Sequence, residues 1–195
     1  MANASGTEER RQLIIREAAR LFTERGYYRT SMEDIAAAVG LRKPTLYWYI
    51  SGKEEILFHI HNEFVDMLIA KHRQRVGSGL SNSQLLRLVM YDVFDQFSEY
   101  PGYVSSFHEH YHDLSQELQK QMEVKRDSYF NAVAEIVRAG VAAGEFQSED
   151  PALTALAFFG LCNWVYKWYR SDGPLKPREI ADKFWVIFMD GVRKQ

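Results

Sequence analysis

Apolar residues along this chain return every three or four positions, strand-like alternation is absent, and clusters of glycine, proline and serine separate the periodic stretches. That pattern predicts a wholly helical protein. A first helix spans roughly residues 8–25, with Ile14, Ala18 and Leu21 facing inward, and ends at Gly26. Met32, Ile35, Ala36 and Val39 then fall at i, i+3, i+4 and i+7, one face of a short second helix. Ser31 can cap it with Asp34 as a shortened capping-box partner, and Gly40, free to take positive φ, stops it. Pro44 suits the first turn of a third helix, where its missing N–H would have no intrahelical partner. Leu46 and Ile50, four apart, anchor that helix to the core. Ser51 and Glu54 form an S-x-x-E capping box opening a fourth helix, from Lys53 to about Val76. Two short helices held at a sharp angle by a glycine predict a helix-turn-helix DNA reader.

GSGLSNS, residues 77–83, reads as a flexible boundary. Beyond it the pattern predicts a helix over 84–99, a break at Pro101–Gly102, a segment over 103–113, and a long helix over 115–143 stopped by Gly144. Asp150 caps a helix from Pro151 to Tyr169; a loop, SDGPLK, precedes a last helix from Pro177 to about Arg193. These last two are too apolar for ordinary surface helices. Leu153, Leu156, Phe159, Gly160, Asn163 and Trp164 share one, while Ile180, Phe184, Trp185, Phe188, Met189 and Val192 crowd the other. Such helices bury more than one face, either as monomer core or as a symmetric four-helix interface between two chains.

At 195 residues the chain can bury a proper core, and 46% hydrophobic with 26% charged residues is ordinary for a soluble globular protein. The net charge of −2 gives no global field to attract nucleic acid, so binding must come from a local patch. Between Asp34 and Glu54 the only charged residues are Arg42, Lys43 and Lys53, all positive. Burial of Leu46 and Ile50 leaves Thr45, Trp48 and Tyr49 facing out, with Tyr47 on the flank. The single cysteine, Cys162, excludes an intrachain disulfide and a four-cysteine metal site and fits a reducing cytoplasm. No N-terminal signal is visible. No apolar run reaches a membrane span of about 20 residues, since Asn163 and Lys167 interrupt the nearest, 152–169.

ARLFTERGYYRTS followed by IAAAVGLRKPTLYWYISGKEEIL, within residues 11–57, resembles the N-terminal domain of TetR-type transcriptional regulators. Arg42 stands where that family usually has a small polar residue, Pro44 where it often has glycine or alanine, and Trp48–Tyr49 where a His–His or Tyr–His pair is common. These departures bear on which operator is bound. The resemblance implies an all-α, two-fold dimer with an N-terminal three-helix reader, residues 1–52, and a C-terminal ligand-binding and dimerisation bundle, residues 53–195. It favours the dimer reading of the last two helices, with Phe159, Trp185 and Phe188 among the buried residues. Two readers on a two-fold axis would bind a palindromic double-stranded operator. Tyr47, Tyr49 and Lys53 are expected on phosphates, and Arg42, Lys43 and Thr45, beside Trp48, at base edges.

Aromatic residues concentrate beyond the reader, mixed with tyrosines, Asn163, Cys162 and histidines that need hydrogen-bond partners if buried. That mixture suggests a cavity lined by Phe97, Tyr103, Phe107, Tyr111, Phe130, Trp164 and Trp168, with Arg170 at its mouth. WVYKWYRSDGPLKPREIADKF, residues 164–184, resembles a TetR subgroup controlling catabolism of fatty acids, aromatic acids or steroid-ring fragments, whose effectors are acyl-CoA thioesters. The expectation is therefore a repressor released from DNA by a small hydrophobic effector such as an acyl-CoA, with no cofactor and no catalysis. The rival is a metal-dependent hydrolase, because HEHYH, residues 108–112, satisfies the H-E-x-x-H zinc pattern. Arg170 can alternatively be a cation at a helix C-terminus, interacting with the macrodipole.

Overall fold

The computed structural model describes residues 2–100 and 102–192. The chain runs through α1 (Ala2–Arg25), α2 (Met32–Ala38), α3 (Lys43–Leu46), α4 (Lys53–Arg75), α5 (Asn82–Glu99) and α6 (Tyr103–Glu109). A single 3-10 turn, Tyr111–Asp113, leads to α7 (Gln116–Ala142) and α8 (Pro151–Trp164); a second, Val165–Lys167, precedes α9 (Pro177–Val192). The predicted Pro101 break and the Arg193 end of the last helix lie outside the described residues. Among those residues no helix is long and apolar enough to cross a membrane.

Local chemistry accounts for most of these boundaries. Ser31 Oγ accepts from Asp34 N–H at 3.1 Å while the Asp34 carboxylate accepts from Ser31 N–H at 2.8 Å, so the shortened capping box forms. Gly40, at φ +66°, lets Leu41 N–H reach Ala36 O at 2.8 Å and its own N–H reach Ala37 O at 3.1 Å, which closes α2. Asp150 caps α8 by accepting from the N–H groups of Ala152 and Leu153. The box opening α4 differs from expectation. Ser51 N–H donates to Glu55, at 2.7 Å, and Glu54 instead accepts from Ser115 N–H at 2.6 Å.

The contacts divide the chain into two compact units, one of residues 1–64 and 100–122, the other of residues 65–99 and 123–195; the division falls inside α4 and α7. In the first unit Ile14, Ile15, Leu21, Ile35, Leu46, Ile50, Ile56 and Leu57 are buried around α1. In the second, Leu86, Met90 and Phe94 of α5 are buried together with Phe158 of α8 and Ile180, Ala181 and Met189 of α9. Glu145 caps α5 from a distance in sequence, accepting from Asn82 N–H at 3.2 Å and Ser83 N–H at 2.8 Å. Glu145→Ala should cost about 1 kcal/mol of unfolding free energy in urea denaturation, the ordinary worth of a lost N-terminal cap.

Candidate nucleic-acid interface and ligand bundle

The reader is built by burying one side of α3. Leu46 and Ile50 are inaccessible, and the turn continues past Leu46, with Trp48 N–H on Thr45 O at 3.2 Å and Tyr49 N–H on Leu46 O at 2.9 Å. That orientation leaves Arg42, Lys43, Thr45, Tyr47 and Trp48 exposed side by side, Trp48 at 87% of its full accessibility, with Tyr49 half-buried. Arg10 of α1 donates to Val39 O at 2.9 Å and holds the end of α2. The surface is basic and aromatic with no carboxylate within it, which suits phosphates and base edges.

Lys53 is placed otherwise than expected. Its ammonium donates to Tyr27 O at 2.7 Å and Thr30 O at 3.0 Å and lies 4.2 Å above the Tyr27 ring. It therefore ties the α1–α2 connection to the start of α4 and is not held out for a phosphate. Burial lowers its pKa against the raising influence of Asp113. The His110 ring packs against Tyr27 at 4.8 Å, His110 Nδ1 pairs with Asp113 at 2.9 Å, and Tyr28 O–H donates to Asp113. The segment after α6 is thus strapped to the reader by side chains that periodicity could not pair.

The predicted metal pattern loses its geometry. Helix α6 stops at Glu109 and His110 caps it, so His108 and His112 do not share one turn of a continuous helix. Among the described residues no group of three or more His, Cys, Asp or Glu side chains could hold a metal ion.

The predicted chamber residues are divided between the units. Tyr103, Phe107 and Tyr111 belong to the first, where Tyr103 O–H donates to Glu63 at 3.1 Å and the Phe107 ring lies 4.8 Å from His61 and 4.9 Å from Phe64. Phe97, Phe130 and Trp168 belong to the second, packed on Tyr169, Phe159 and Phe184 respectively. Trp164 is no lining residue of the second unit, being 64% exposed on the outer face of α8. Arg170 is fully exposed and donates to both oxygens of Asp172, at 3.0 and 2.9 Å. The turn that brings Gly173 N–H onto Arg170 O places that carboxylate in reach, so the guanidinium is held by Asp172 at the surface.

Inside the second unit lies a polar cluster that the aromatic pattern did not reveal. Asp92, 3% exposed, accepts two hydrogen bonds from Arg75, with Lys71 at 3.7 Å. One turn along α5, Gln96 is wholly buried and donates its amide to Asp92 O at 3.1 Å. Tyr129 of α7 and Cys162 of α8 complete it, and burial pushes both their pKa values up, so phenol and thiol stay protonated. The available signal was Asp92 and Gln96 at i and i+4 on an otherwise apolar face.

Residues 14–60 match the family model described as bacterial regulatory proteins, tetR family, and residues 79–192 that described as tetracyclin repressor-like, C-terminal domain. The HTH-type transcriptional repressor KstR2 of Rhodococcus jostii is 28% identical over 97% of this chain and 94% of its own length. The TetR family transcriptional regulator PfmR of Thermus thermophilus is 32% identical, with a TM-score of 0.85 over 91% of this chain and 97% of PfmR. AibR, solved in complex with isovaleryl coenzyme A and operator DNA, is 30% identical, with a TM-score of 0.81 over 91% of this chain and 97% of AibR.

Proposed function

Because this chain belongs to the TetR family of bacterial transcriptional regulators, we propose that it is a cytoplasmic, homodimeric repressor that leaves a palindromic operator when an acyl-CoA thioester binds its C-terminal bundle. It is a ligand-responsive DNA-binding regulator. The observation that carries the reading is the exposed row Arg42, Lys43, Thr45, Tyr47 and Trp48 on a helix whose inner side is sealed by Leu46 and Ile50. Residues 1–52 then read DNA, and residues 53–195 hold effector and partner. Likeness to AibR, whose complex contains isovaleryl coenzyme A, supports the thioester class. Arg170, already paired with Asp172, does not. The reduced, buried thiol of Cys162 fits the cytoplasm.

An effector can release DNA only by binding the non-operator conformation more tightly, since equal affinity for both shifts nothing. The test is selection of operator sequences from a randomised duplex pool, followed by fluorescence anisotropy with acyl-CoA esters and their free acids. Thioesters should displace the selected duplex. If none does, the effector class is wrong; if no duplex is enriched, the DNA-reader assignment falls. Thr45→Ala should relax preference at one or two positions of each half-site by about 1–3 kcal/mol, the worth of a good base contact.

A further inference from the structure

We propose that the effector carries a hydroxyl group on its apolar part, recognised inside the second unit by the Tyr129 hydroxyl and the Gln96 side-chain carbonyl. This deepens the effector reading above and rests on it. The Tyr129 oxygen and Gln96 Oε1 are both inaccessible, and neither has a hydrogen-bond partner among the described residues. Tyr129 is 5% exposed and Gln96 not at all. Buried polar atoms in folded proteins are almost always paired, because each one left unmade costs its full desolvation. Two such atoms in one neighbourhood point to a ligand that supplies what the chain does not.

The neighbourhood is shared. Gln96 folds its amide back onto Asp92 O, which sets its remaining oxygen beside the Asp92 turn, and Tyr129 lies close enough to the Asp92–Arg75 ion pair to feel both charges. An apolar neighbour is also present, the Phe159 ring 5.8 Å from Tyr129. Gln96 Oε1 can only accept and the phenol is free to donate. One hydroxyl answers both, donating to Gln96 and accepting from Tyr129. A ketone could answer only Tyr129 and a hydrocarbon neither. A carboxylate could not donate to Gln96 and would bring a second negative charge beside Asp92.

The test measures binding by titration calorimetry of decanoyl-CoA, 3-hydroxydecanoyl-CoA and 10-hydroxydecanoyl-CoA, with the three free acids in parallel. The full chain should bind a hydroxylated member at least about tenfold more tightly than its parent, as two buried hydrogen bonds provide. Tyr129→Phe and Gln96→Met, which keep side-chain volume, should bring that preference to within about threefold. Equal affinity for hydroxylated and parent compounds, or a preference that survives both substitutions, overturns the proposal. So does a fall of more than about 3 °C in the melting temperature of ligand-free Tyr129→Phe, because the hydroxyl would then be paired within the folded chain. Operator release separates the two readings. Thioesters that displace DNA without hydroxyl preference leave the effector class standing and remove this inference, whereas hydroxylated acids that bind preferentially while no thioester releases DNA do the reverse.

Discussion

Ile187→Glu should convert the protein from dimer to monomer in sedimentation velocity while each separated chain keeps its helical circular dichroism. Helices α8 and α9 each bury one face in their own unit and leave another apolar face outside. Leu153, Leu156 and Trp164 of α8 are 61%, 55% and 64% exposed, and Val186 and Ile187 of α9 are 57% and 62%. A solvent-facing apolar surface spread over two helices marks a protein contact, and a two-fold partner covers such a surface with itself. A carboxylate at Ile187 would be desolvated without a partner in that interface yet costs little in a monomer. Operator affinity should fall by about 100-fold or more, since two linked readers bind one palindrome with the advantage of high effective concentration. Phe188→Glu makes the contrast. Phe188 is 6% exposed and packs on Phe158 at 5.3 Å and Trp185 at 6.3 Å, so a charge there should unfold the unit and not merely separate two chains. The same burial corrects the expectation that Trp185 and Phe188 form the dimer face. An Ile187→Glu protein that remains dimeric on dilution would falsify this assignment.

Gly102→Ala should destabilise the first unit by about 2–4 kcal/mol in denaturant unfolding, the sum of a strained backbone and a clash. Gly102 sits at the start of α6 with φ +92°, a conformation that L side chains rarely adopt. A methyl group there would also lie 2.6 Å from the backbone oxygen of Ala19 and against the Thr23 hydroxyl. The backbone of α1 cannot yield as a flexible side chain would. Gly144→Ala is the control, because Gly144 has φ +73° but open space around its Cα. It should cost only about 1–2 kcal/mol, the backbone part alone. Equal losses at the two positions would mean that the close approach of α6 to α1 contributes nothing.

Sequence by itself determined the helices, most of their ends and the reader. Those features rest on interactions within a few residues. Ser31 with Asp34, Gly40 with its positive φ, Asp150 before Pro151, and Leu46 with Ile50 all act inside one or two turns, so periodicity and capping chemistry suffice to find them. Only the tertiary structure decided the partners of Lys53, the pairing of Arg170 with Asp172, the side of α9 on which Phe188 lies, and the polar cluster of Asp92, Gln96 and Tyr129. Helix α9 has one clearly apolar side, on which Phe188 lies, but a sequence period does not say whether that side meets its own chain or a second one. The length of a lysine or arginine leaves its target open over several residues. Tyr129 and Asp92 are far apart in sequence, and nothing short of the packing of α5 against its neighbours brings a phenol, an amide and an ion pair into one buried place.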